Sequence, residues 1–170
     1  MSNAEPWLRG PLEGIEPLVM PVFYTFEQVR EELGQQLQGL TREQLWRSPG
    51  AASVGFHLKH IAGSVDRLTT YALGEQLSDD QMAVLKQESV PDESLDALLL
   101  RVLAALKRSE EKLRNINPAT MYDKRVVGRR ALPTTLLGLI VHIAEHTQRH
   151  LGQAITTAKV VRHQTSPSAA

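Results

Sequence analysis

Three histidines recur at steps of four in the stretch Val141–Gln153, read VHIAEHTQRHLGQ: His142, His146 and His150. On a helix, residues four apart lie one above the other, so two imidazoles at this spacing can reach one metal ion together. Neutral imidazole is the commonest protein metal ligand. Two more of the six histidines, His57 and His60, fall on a second helical stretch. The chemistry open to this set is a mononuclear, three-imidazole site with open positions, able to acidify a bound water or polarise a substrate. The sequence has no H-E-x-x-H, so a zincin-type protease is not indicated. It also lacks the paired Glu-x-x-His motifs and inward glutamates of di-iron bundles.

Which imidazoles can meet depends on the helices that carry them. At ~100° per residue, Leu136, Ile140, Ile143, Thr147, Leu151, Ala154 and Ala158 centre the apolar face of the last helix. The histidines run along one edge of that face, His150 nearest its centre, His146 next and His142 furthest out. The wheel therefore favours His146 and His150 as inward groups. It leaves His142 as an outer-lying group, a surface residue or an alternative ligand. On the helix carrying Val54, Leu58, Ile61, Val65, Leu68 and Ala72, periodicity makes His57 the inward residue. His60 remains open, because a ligand can also sit at the seam between two helices.

The rest of the chain reads as the frame for those two helices. Residues 1–17 are rich in Pro and Gly and form an irregular lead-in, with Trp7 and Leu8 as candidate anchors. From Leu18 to Leu40, Val22, Phe26, Val29, Leu33 and Leu37 recur at steps of three and four, the mark of a first amphipathic helix. Thr41–Gln44 fits a capping box for a short extra turn, and Ser48-Pro49-Gly50 breaks the chain. Ser53 caps the second long helix, which Gly74 closes. Residues 75–93 connect, with a short helix near Asp79–Lys86. A third helix spans Ser94 to Asn115, with Leu95, Leu98, Leu99, Val102, Leu106 and Leu113 as its apolar face and the charged run Lys107–Lys112 a solvated face. Asn115–Leu132 reads as a loop whose Lys124, Arg125, Arg129 and Arg130 are solvated, the alternative being a basic loop that binds an anionic substrate group. Pro133-Thr134-Thr135 opens the last helix, which runs to Val161 before a small polar tail. The expectation is an all-α, four-helix bundle over residues 18–162, with 163–170 disordered.

Composition narrows the function. A length of 170 residues with 42% hydrophobic and 22% charged residues suits one soluble domain. Nineteen basic residues balance nineteen acidic ones, so no global field favours nucleic acid or an acidic membrane. The N-terminus lacks a charged start followed by a long apolar run, so a signal peptide is not expected, and no apolar run nears the ~20 residues of a membrane span. A cytoplasmic location is the default. Without cysteine, a thiolate nucleophile or Cys-based metal site is ruled out, and any thiol chemistry must use another molecule's thiol.

Two motifs add a family. Ser53-Val-Gly-Phe-His-Leu-Lys-His-Ile-Ala-Gly-Ser64 resembles the second-helix motif of the DinB-like (YfiT-like) superfamily, and His146-Thr-Gln-Arg-His-Leu-Gly-Gln153 resembles its last-helix motif. Trp46 ahead of Ser48-Pro49-Gly50 fits the segment leading into helix two. The resemblance spans residues 18–160. It implies a four-helix bundle, often dimeric, holding a divalent metal (zinc, nickel, iron or manganese) on His60, His146 and His150. On helix two this disagrees with the wheel, and His57 becomes a neighbour hydrogen-bonded near the site. The resemblance also marks Gly152 and Gln153. Close helix packing would account for the glycine, and an amide supporting a ligand would account for the glutamine.

Members of that superfamily include transferases and an isomerase that use low-molecular-weight thiols, together with metal-dependent hydrolases. The expectation is an enzyme that activates a thiol cosubstrate or water for attack on a small molecule. The alternative is a non-catalytic metal-binding or stress-response helical module, and a third is a plain dimerisation domain with structural histidines. Glu145 and Asp66 are the nearest bases in sequence, but the wheel turns both away from the core. Arg67, one helical period from His60, reads as a surface residue that could otherwise meet an anionic substrate.

Overall fold

The computed structural model describes residues 4–165. Four long helices make the frame: α1 (Met20–Leu37), α3 (Val54–Ala72), α5 (Leu95–Leu113) and α6 (Leu136–Thr165). Two short helices, α2 (Arg42–Trp46) and α4 (Asp79–Lys86), lie in the connections. Helix starts follow local chemistry. Thr41 with Gln44 and Ser78 with Gln81 form reciprocal capping boxes, while Ser53 and Ser94 accept the backbone N–H of Phe56 and Ala97. After α3 the chain turns at Gly74, where φ is +79° and glycine avoids a Cβ clash.

Direct packing pairs α3 with α6 and α5, and α1 with α6 and α5. The bundle therefore closes as a ring in the order α1, α6, α3, α5. Its core is the apolar stripes expected from periodicity: Val22, Phe26 and Val29 of α1, Leu58, Ile61 and Val65 of α3, Leu98, Val102 and Leu106 of α5, and Ile140, Ile143 and Leu151 of α6. This arrangement puts the two histidine-bearing helices, α3 and α6, side by side.

Four segments depart from the sequence reading. The expected loop 115–132 contains a β-hairpin: β1 (Lys124–Val127) pairs antiparallel with β2 (Leu132–Thr135). Pro133-Thr134-Thr135 therefore belongs to β2, and α6 begins at Leu136. Pro133 is tolerated because both strands of a two-stranded ribbon are edges, where a missing N–H costs no ladder bond. At the other end α6 continues past Val161 to Thr165, and the remainder of the expected tail lies outside the described residues. In the lead-in, Trp7 does anchor, its ring tilted against Tyr24 at 5.5 Å and its indole N–H donating to Gln28, but Leu8 is 75% exposed. The charged run of α5 is also less solvated than expected. Ser109 is buried against the Thr69 hydroxyl, and Glu110 takes both Nη atoms of Arg30.

Candidate metal centre

The seam between α3 and α6 brings His60, His146 and His150 together, each partly buried, with one ring nitrogen from each within 4.8 Å of the others. His60 Nε2 and His146 Nε2 stand 2.9 Å apart. Two nitrogens on one tetrahedral ion at ~2.0–2.1 Å would be separated by about 3.3 Å. The pair thus has to open by only a few tenths of an ångström.

Each imidazole has a different neighbour on its far side. Glu88 Oε2 accepts from His60 Nδ1 at 2.7 Å. That bond keeps the proton on Nδ1 and aims the Nε2 lone pair at His146. Glu88, 5% exposed, is itself paired through Oε1 with Arg67 Nη1 at 2.9 Å. Phe56 stacks flat on the His60 ring at 5.4 Å and 12°. His150 Nδ1 meets Nδ1 of the buried His57 at 3.0 Å, which leaves Nε2 of His150 for a ligand. Nδ1 of His146 is buried without a partner.

The local sequence explains these placements. Gly63 sits under the Glu88–Arg67 pair, where a Cβ would come within 2.6 Å of Arg67 Nη1 and of Glu88 Oε1. Lys59, 3% exposed, pins the connection that carries Glu88: its ammonium donates to the carbonyls of Gln87 and Val90 and to Asp92. Trp46 donates to the Glu93 carbonyl and lies over Gly55, where a Cβ would meet the indole at 2.6 Å.

The electrostatics favour neutral imidazoles. Burial first, and then the adjacent His60, push His57 down to about 4. Burial again, followed by neighbouring imidazoles, takes His146 to about 4 and His150 to about 3. Deprotonated rings are the form that ligates metal. The donor set is three imidazole nitrogens with no thiolate, suited to a borderline divalent cation. The residues fit such an ion: one lone pair is aimed by a carboxylate, a second nitrogen faces it, and a third ring stands alongside.

His60 and His146 also wall a cavity of about 580 Å³ bounded by α3, α4, the hairpin and α6. The site therefore has open space on one side.

Other expected residues fall elsewhere. His142 is exposed, on the outer edge where the wheel put it. Glu145 accepts from Nε and Nη2 of Arg149 and lies 3.6 Å from the exposed His142, on the outer side of His146 and outside the His60–His146–His150 group, while Asp66 accepts from Gln81. Arg67 is a correction: it is buried in the ion pair with Glu88 and is not a surface residue. Gly152 is another. A Cβ there would meet nothing within 4 Å, so close helix packing does not explain it. Gln153 is exposed and supports no histidine; the group behind His150 is His57. Glu88 and Lys59 were missed, because neither lies in a histidine-spaced motif.

A helical bundle with converging imidazoles between two of its helices, open to a cavity, defines a class of candidate metalloproteins. The DinB superfamily model matches residues 25–154, and the chain belongs to that superfamily. Among solved structures it is similar to YfiT from Bacillus subtilis, described as a probable metal-dependent hydrolase with an unusual four-helix bundle topology. The two share 18% identity and superpose with a TM-score of 0.63, over 92% of this chain and 94% of that one. No protein of curated function matches the sequence. No described helix is long and apolar enough to cross a membrane.

Proposed function

We propose that this chain is a metal-dependent enzyme acting on a small molecule, with His60, His146 and His150 holding one divalent ion. The observation that carries the reading is that three imidazoles group together and two of them, His60 and His146, line a cavity. A bound ion there would supply Lewis acidity and lower the pKa of a coordinated water or thiol. The chain's own part is to keep His146 and His150 neutral, to fix His60 through Glu88, and to shelter the reacting groups in the cavity. Water as nucleophile accords with the description of YfiT. A low-molecular-weight thiol accords with the other superfamily chemistry and with the lack of cysteine in this chain. A homodimer, the form implied by the family resemblance, is the expected assembly, to be checked by light scattering.

The test begins with elemental analysis of tag-free protein beside His60→Ala. About one ion per chain, lost in the variant, is the expected result, followed by turnover in a screen of hydrolysis and thiol-transfer substrates. Full occupancy in the variant would reject the ligand set. One ion per chain with no turnover across the screen would favour a metal-binding module without catalysis.

A further inference from the structure

The cavity beside the imidazoles has an unusual distribution of charge. Its apolar wall comes from Leu68 and Tyr71 of α3, Leu77 and the α4 residues Met82 and Leu85, with Val127 from the hairpin. Two cations line it from opposite elements: Lys86 at the end of α4, and Arg129 in the turn between β1 and β2. Both side chains are exposed, and neither makes a hydrogen bond or ion pair among the described residues. No carboxylate lines this cavity. Arg67 also lines it but is balanced by Glu88. The neighbouring cavity on the other side of α3 is different, setting Asp66 and Asp80 among Arg67, Arg101 and Arg108.

An apolar chamber with two unpaired cations and no acidic group attracts one charge type. A low-dielectric wall strengthens the attraction of both cations for an anion and raises its local concentration. The chamber volume of about 580 Å³ admits a small organic molecule. We propose that the molecule taken by this cavity is an anion with an apolar body. Its carboxylate or phosphate meets Lys86 and Arg129, and its body lies along Leu68, Met82 and Leu85. The inference rests on the metal-site reading only in assigning this molecule the role of substrate. The charge preference belongs to the cavity itself.

The test uses four probes with one alkyl chain: octanoate, octyl phosphate, octanol and octylammonium. Binding is measured by calorimetry on zinc-loaded and on metal-free protein, so that direct ligation by the ion is separated from cavity binding. Both forms are expected to bind one or both anions at least about tenfold more tightly than octanol, with octylammonium weakest. Whichever of octanoate and octyl phosphate binds more tightly identifies the anionic group. The double charge reversal Lys86→Glu with Arg129→Glu, at two exposed positions, should erase that preference and improve octylammonium while zinc affinity stays unchanged. Equal binding of the anions and octanol, no binding of either anion, or an unaltered preference in the double variant overturns the inference. A separate zinc titration keeps the two ideas apart. Zinc binding without anion preference sinks this inference alone; anion preference without zinc binding sinks the metal site and leaves the charge preference standing.

Discussion

The two ends of the histidine cluster are built differently. At the His60 end, a carboxylate from a distant connection reaches in, is paired with Arg67 over Gly63, and is held in place because Lys59 pins residues 87–92 to α3. At the His150 end, the support is another imidazole, His57, one turn away on the same helix as His60. A carboxylate acceptor polarises an N–H more strongly than a neutral ring nitrogen does. The His60 end thus fixes both tautomer and direction, while either ring can donate in the His57–His150 contact. The difference teaches that this site is oriented from its loop side, and that the bundle alone does not fully specify it.

The largest effect separates ligands from supports. Alanine at His60, His146 or His150 should each abolish stoichiometric metal binding, read by titration with a chromophoric chelator. Alanine at His142, exposed and outside the group, should leave it intact. If His142→Ala loses the ion and His150→Ala keeps it, the comparison of the two ends has been drawn around the wrong set.

Next come the supports themselves. Glu88→Ala should weaken metal affinity by about 10–100-fold, and Glu88→Gln, which keeps an acceptor oxygen for His60 Nδ1, should recover part of the loss. His57→Ala should cost less than Glu88→Ala in the same titration. Equal losses would mean the two ends are equivalent after all. Lys59→Ala tests the same idea one step further out. It removes no contact to a histidine but frees the connection, so its affinity loss should fall below that of Glu88→Ala, with a clear drop in melting temperature from the carbonyls and carboxylate left without their ammonium.

Acid should act mainly on the His146 and His150 side. The folded values of about 4, about 4 and about 3 for His57, His146 and His150 lie below the ordinary imidazole value of ~6.5. Between those values the unfolded chain binds more protons than the folded one, so stability rises with pH in that window. It is fully present above ~6.5 and is lost progressively as pH falls toward the folded values. Thermal melts of metal-free protein should therefore show a lower midpoint at about pH 5 than at about pH 7. His57→Phe should flatten that slope, and an unchanged slope would remove His57 from the account.

Much of the frame was legible because helical periodicity is a strong signal. The stripes of α1, α3, α5 and α6 and the Thr41–Gln44 capping box follow from residue types at fixed spacing. The placement of His142, His146 and His150 around α6 follows in the same way. The choice between His57 and His60 was not legible from periodicity. His57 is the more deeply buried of the two, yet it is His60 that groups with His146 and His150. Burial ranks a residue within its own helix, whereas grouping depends on which face the neighbouring helix presents. Glu88 lies 28 residues from His60 in a polar connection, so no local pattern marks it. The hairpin escaped notice because four-residue strands are too short to show alternation, and Pro133 argues against a strand anywhere but an edge.

The smallest effect concerns Gly152, which belongs to the last-helix motif yet has open space where a Cβ would go. It lies in the body of α6, and its backbone is not among those with positive φ. Neither backbone conformation nor packing within the chain therefore calls for glycine. Alanine in a helix interior is favoured over glycine by about 0.5–1 kcal/mol. Gly152→Ala should therefore raise stability slightly in a denaturant melt and leave metal affinity unchanged. The residue borders a cavity of about 470 Å³ shared with His57, Arg149 and Gln153, on the less firmly fixed His150 end. If the variant instead lost affinity or activity at unchanged or higher stability, the methyl would be intruding on something that approaches this end from outside the chain. The His150 end would then have a second source of order beyond His57.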